Sequence, residues 1–119
     1  MSRILIVDDN VELAENLAEI LECEGIEAVV MTDSREVKRR AAELGYDAAM
    51  IDVRMPEVDG IELCKALHDA HPEAKHLLMT AFTTEERLGQ AQGYALRILW
   101  KPFGPDELLA TLRELGAAA

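Results

Sequence analysis

Residues 48–60 read AAMIDVRMPEVDG. Four apolar residues, Ala48-Ala49-Met50-Ile51, run straight into one carboxylate, Asp52, and Met55-Pro56 and Asp59-Gly60 then turn the chain. A short unbroken apolar run bounded by turn residues reads as a strand buried on both faces. An acid at the mouth of such a strand is costly unless a charge partner or a reaction justifies it.

On the amino-terminal side of this stretch, 3–7 (RILIV) is a second buried strand, bounded by Asp8-Asp9-Asn10. Asn10 can cap a helix on which Leu13, Leu17, Ile20 and Leu21 recur at helical spacing, with Gly25 as its stop. A further strand follows over 26–31. Asp33 or Ser34 then caps a helix with Val37, Ala41 and Leu44 on one face, ended by Gly45.

On the carboxyl-terminal side, Gly60 opens a helix with Ile61, Cys64 and Leu67 inward, and Pro72 closes it. Leu77-Leu78-Met79 is a strand ending at Thr80. Thr83-Thr84-Glu85-Glu86 has the form of a capping box, yet Gly89 and Gly93 leave only a short, weak fourth helix. Ile98-Leu99-Trp100 is the last strand, ending at Lys101-Pro102. Pro105 starts a final helix bearing Leu108, Leu112 and Leu115, and the alanines after Gly116 form a frayed tail. Five strands alternating with five helices predict one α/β domain over 1–119, with a doubly wound parallel sheet covered on both faces.

Composition narrows the function. Half of the 119 residues are apolar, and no run is long enough to span a bilayer. Met1-Ser2-Arg3 leads into a strand with no signal-peptide layout, so the expected compartment is the cytoplasm, with no membrane partner. Cys23 and Cys64 read as buried core thiols. His68, His71 and His76 read as surface histidines, without acidic or thiol partners at ligand spacing. A net charge of −11 argues against direct nucleic-acid binding. The one basic cluster, Arg35, Lys38, Arg39 and Arg40, reads as a solvated helix face.

Four strands end in polar residues: Asp8-Asp9, Asp52, Thr80 and Lys101. In an open parallel sheet those ends share one edge, where ligands bind. The expectation is a pocket of three carboxylates, one hydroxyl and one ammonium. Carboxylates so close need a cation among them, and an all-oxygen donor set favours Mg²⁺ or Mn²⁺ over zinc. Lys101 and Thr80 complement phosphate oxygens, and a carboxylate beside a bound metal is a nucleophile for an acyl phosphate. The residues point to phosphoryl transfer onto Asp52. Singly, an Asp-Asp pair is a helix cap, a lone Asp is turn chemistry and Lys-Pro-Phe is a connector. The signal lies in their order and shared edge.

Together ILIVDDN at 4–10, DVRMPEVDGIEL at 52–63, LLMTAF at 77–82 and KPF at 101–103 closely resemble the receiver domain of bacterial two-component response regulators. The likeness spans the chain from Arg3 to about Leu115. It implies the CheY-like, flavodoxin-like strand order 2-1-3-4-5. It makes Asp52 the phosphoacceptor, supplied by a sensor histidine kinase or a phosphotransfer protein. Asp9 would bind Mg²⁺ directly and Asp8 through water, with Asp52 and the backbone carbonyl of Arg54 completing the protein ligands. Thr80 and Ala81 would bind the phosphoryl group, and Lys101 would pair with it. Arg54 and Phe82 would flank the water that resets the switch. The Lys101-Pro102 bond is usually cis in this family. The chain would then catalyse its own phosphorylation and dephosphorylation without being an enzyme for an external substrate. Its output would be a downstream protein or a fused domain, or a homodimer through the face of the fourth helix, fifth strand and fifth helix.

Ile98 stands where the family usually carries an aromatic ring, and the fourth helix is thin. The segment 83–94 is therefore expected to be mobile or partly non-helical. Two rival functions share the same residues. One is a metal-dependent phosphohydrolase, disfavoured because Arg54 stands where its second acid would be. The other is a phosphate-independent (pseudo-receiver) interaction module.

Overall fold

The computed structural model describes residues 2–40, 43–81 and 83–117. Along the chain, β1 (Arg3–Val7), α1 (Val11–Cys23), β2 (Glu27–Met31), α2 (Ser34–Arg40) and β3 (Ala48–Asp52) are followed by α3 (Gly60–Ala70), β4 (Lys75–Thr80), α4 (Glu85–Gly89), β5 (Arg97–Trp100) and α5 (Pro105–Glu114). The strands form one parallel sheet in the order β2-β1-β3-β4-β5, the order the resemblance implies.

Alternation inside the apolar runs explains why both sheet faces are dry. Ile4, Ile6, Ala48, Met50, Leu77, Met79 and Leu99 face α1 and α5, where Leu17, Leu21, Leu108 and Leu112 meet them. Leu5, Val7, Ala49, Ile51 and Leu78 face the other way, toward Val37, Ile61, Leu63, Cys64 and Leu67. Each fully buried Leu or Ile is worth about 1.5–3 kcal/mol of transfer free energy. All five residues of β3 are buried, so this central strand is the rigid base of the site.

Local signals set most boundaries. Asn10 Oδ1 accepts from the Leu13 amide at 3.1 Å, and Asp59 Oδ1 from the Ile61 amide at 3.0 Å. Asp33 Oδ1 accepts from the Arg35 amide at 2.9 Å at the start of α2. Ala41, expected on the inner face of that helix, and the terminal alanines 118–119 lie outside the described residues. Ala117, expected in a frayed tail, is instead buried in the core, its amide donating to the Leu112 carbonyl at 2.9 Å. A Cβ at Gly60 would collide with the Asp52 carbonyl and the Val53 backbone, so only glycine lets α3 start that close to β3.

Three further expectations are corrected. Thr84, not Thr83, caps α4, accepting from the Arg87 amide at 3.2 Å. With Arg87 at the third helical position no carboxylate returns the bond, and only half of the capping box forms. Cys23 is exposed because it lies two residues beyond buried Leu21, about 200° around α1; Cys64 is buried as expected. His76 is not on the surface. It is wholly buried as the second residue of β4, opposite Ala49, and His68 and His71 are half-buried beside it.

Two further points follow the sequence reading. Helix α4 spans only five residues, buries none of them, and gives way to turns over 90–94. The segment is partly non-helical. The Lys101-Pro102 peptide bond is cis.

Candidate functional site

The carboxyl edge of the sheet brings the polar strand ends together. Asp8 follows β1 and is fully buried, Asp52 ends β3 at 7% exposure, Thr80 ends β4 buried, and Lys101 follows β5 half-buried. Lys101 Nζ lies 2.8 Å from Asp8 Oδ2 and 3.4 Å from Asp52 Oδ1. The Lys101 amide also donates to the Thr80 carbonyl at 2.8 Å, which locks the ammonium-bearing turn onto β4. Asp9 is exposed at the rim. One carboxylate oxygen from each of Asp8, Asp9 and Asp52 lies within 4.8 Å of the others.

Three acids against one ammonium leave this pocket short of positive charge. Burial, and then the neighbouring charge of Asp8, push the Asp52 carboxyl up to about 6, while Lys101 and the Arg54 amide pull it down. The donor set is hard oxygen only and clustered tightly enough for one small divalent cation. These residues fit Mg²⁺ or Mn²⁺.

The remaining expected residues divide. Ala81 is exposed beside the pocket, and with Leu13, Lys101, Pro102 and Phe103 it lines a cleft of about 320 Å³. Arg54 is exposed in the loop after Asp52 and pairs with Asp59 in a short antiparallel bridge. In that loop Glu57 takes a left-handed φ of 68°, a conformation that costs a non-glycine residue free energy. Phe82 lies outside the described residues. Ile98 is half-buried away from the acids, on a cavity of about 310 Å³ shared with Leu88, Gly89, Ala91, Gln92 and Ala95.

Sequence reasoning missed two features. The Asn10 amide donates to Asp8 Oδ1 at 3.0 Å and holds that carboxylate in place; the signal was a capping residue two positions after an acid. Arg87 Nη2 meets Asp59 Oδ1 at 2.6 Å across 28 residues of sequence, and no local pattern announces that pair.

The family model for the response regulator receiver domain matches residues 4–113. A response regulator receiver protein from Anaeromyxobacter sp. (strain Fw109-5) is 37% identical over 110 residues, which cover 92% of this chain and 46% of the relative. The CheY-like receiver domain protein from Methanospirillum hungatei JF-1 superposes with a TM-score of 0.93 at 28% identity, covering 97% of this chain and 93% of that one. The response regulator TrrA of Thermotoga maritima, solved in complex with Mg²⁺ and BeF, superposes with a TM-score of 0.86 at 30% identity, covering 97% and 99%. The chain spans about half the length of the curated relatives it matches.

Proposed function

The chain belongs to the response regulator receiver domain family of two-component systems, and from that premise we propose that Asp52 is its phosphoacceptor. The observation that carries this reading is the convergence of Asp8, Asp9 and Asp52 within 4.8 Å, with Lys101 2.8 and 3.4 Å from two of them. An Asp52 oxygen attacks the phosphorus of a phosphohistidine. The new O–P bond forms as the P–N bond breaks, and the leaving imidazole takes up a proton. Asp8, Asp9, Asp52 and the Arg54 carbonyl would hold Mg²⁺, which when bound neutralises charge building on the phosphoryl oxygens. Lys101 pairs with those oxygens, and the Thr80 hydroxyl and Ala81 amide donate to them. Hydrolysis of the acyl phosphate, with Arg54 beside the water, returns the switch to its resting state.

The donor is a sensor histidine kinase or a phosphotransfer protein in the cytoplasm. The output is a separate protein or a fused domain, in keeping with relatives about twice this length, and the domain occupies 1–119. Phosphorylation adds nearly two negative charges beside Lys101 and Thr80, and the response is a shift of the face formed by α4, β5 and α5. Trp100 and Leu96, exposed on and beside β5, are the apolar contacts on that face for a partner or a second copy. The complete acidic set with Lys101 and Thr80 argues against a phosphate-independent module.

The test is intact mass after incubation with Mg²⁺ and a small phosphodonor. We expect one phosphoryl group on the parent protein and none on Asp52→Ala. Continuous turnover of a phosphate ester would instead mean a phosphohydrolase, and neither adduct nor turnover would mean an interaction module.

A further inference from the structure

Helix α4 is held in an unusual way. None of its residues is buried, so apolar packing does little to fix it. It lies between two hollows, the cavity of about 310 Å³ beside Ile98 and a shallow cleft of about 690 Å³ lined by 53–59 and Arg87. Across that cleft, Arg87 reaches Asp59 at 2.6 Å with one guanidinium nitrogen, and with another it donates to Gln90, the C-cap of its own helix, at 3.1 Å. The pair is partly shielded, with side chains 38% and 31% exposed.

Asp59 in turn is fixed to the strand that ends in Asp52. Its side chain accepts from the Ile61 amide, its backbone bridges to Arg54, and the next residue, Gly60, donates to the Val53 carbonyl at 3.0 Å. The Gly60 backbone packs so closely on the end of β3 that even a Cβ there would collide with the Asp52 carbonyl and the Val53 backbone. Displacement of the 53–59 loop therefore carries Asp59 with it. Arg87 passes that displacement to a helix with little else to hold it.

We propose that the Arg87–Asp59 ion pair is the link between the loop following Asp52 and helix α4, making Arg87 a positioning residue for that loop and Asp59 one for α4. Its signalling meaning rests on the reading of Asp52 as phosphoacceptor; the link itself does not. Coupling of this kind is reciprocal, so disturbing either partner loosens the segment that carries the other.

Amide hydrogen exchange on the full chain, without phosphodonor, tests the link. Arg87→Ala should raise exchange in 54–60 two- to fivefold, and Asp59→Asn, which keeps a capping side chain, should do the same in 85–90. The double variant should match the singles, β1 and α1 should not change, and Arg87→Lys should recover part of the protection. Effects that multiply in the double variant, or a 54–60 segment indifferent to Arg87→Ala, overturn the proposal. Adding Mg²⁺ and beryllofluoride extends the test. In the parent the change should reach 85–90, and in Arg87→Ala it should stop at 60; an undiminished change at 85–90 in the variant overturns the proposal. A parent that ignores beryllofluoride sinks the phosphoacceptor reading, while the double-variant result still decides the link.

Discussion

The β3–β4 ladder buries an ionisable group at each end, and the two ends solve the problem oppositely. At the carboxyl end the Asp52 and Asp8 side chains lie beside Lys101 and face the pocket. At the amino end His76 is fully buried and meets the Tyr46 hydroxyl through Nε2 at 2.9 Å, with His68 and His71 rings stacked edge-on around the pair. Burial, and then the neighbouring His68 and His71, push His76 down to about 4, so it stays neutral. Burial likewise pushes the Tyr46 hydroxyl above its ordinary range. One end gathers carboxylates that a single ammonium does not balance, and the other is a buried, neutral contact that serves packing.

The most severe way to break the comparison is to remove the cation from the charged end. Lys101→Met leaves two buried carboxylates facing each other and should cost roughly 3 kcal/mol in urea unfolding at pH 8. The loss should shrink below pH about 6, where Asp52 takes up a proton. A small, pH-independent loss would mean that the pocket carries no buried charge.

The two ends also respond to acid with opposite sign. Asp52 binds its proton at about 6 in the folded chain against 3.8 ordinarily, so its contribution to stability is complete below 3.8 and is lost as pH rises through 6. His76 sits at about 4 against 6.5, so its contribution is present above 6.5 and is lost as pH falls through 4. Each shift corresponds to roughly 3 kcal/mol, and in the parent they offset between pH 4 and 6. In chemical denaturation without metal, Asp52→Asn should lose stability steeply on acidification, and His76→Gln should gain it. A parent-like profile for either variant would show that the paired assignment is wrong.

The smallest effect sharpens the neutral end. Tyr46→Phe deletes the hydroxyl that meets His76 and should cost about 1–2 kcal/mol, with little change in phosphoryl acceptance. Loss of the Mg²⁺-dependent adduct in this variant would show that the two ends are not independent.

Most of the charged end was legible in the chain, because its residues are strand terminators. Once the apolar runs ending at Asp8, Asp52, Thr80 and Lys101 are parallel strands, their carboxyl ends fall on one edge whatever the side chains do. The neutral end was not legible. His76 carries no period or motif that separates it from an exposed histidine, and its partner Tyr46 lies 30 residues away. The misplaced capping box shows a subtler limit: Thr83 and Thr84 are equal candidates by type, and the helix start chose between them.

By itself, then, the sequence determined the parallel α/β sheet, the edge where chemistry sits and the residues that meet there. These depend on local periodicity and on a side-chain order that topology preserves. Only the tertiary structure decided that His76 is buried, that Cys23 faces water and that Arg87 holds Asp59. Each of those depends on how one element is rotated or set against another, and that is settled by packing across the sheet rather than by neighbours along the chain.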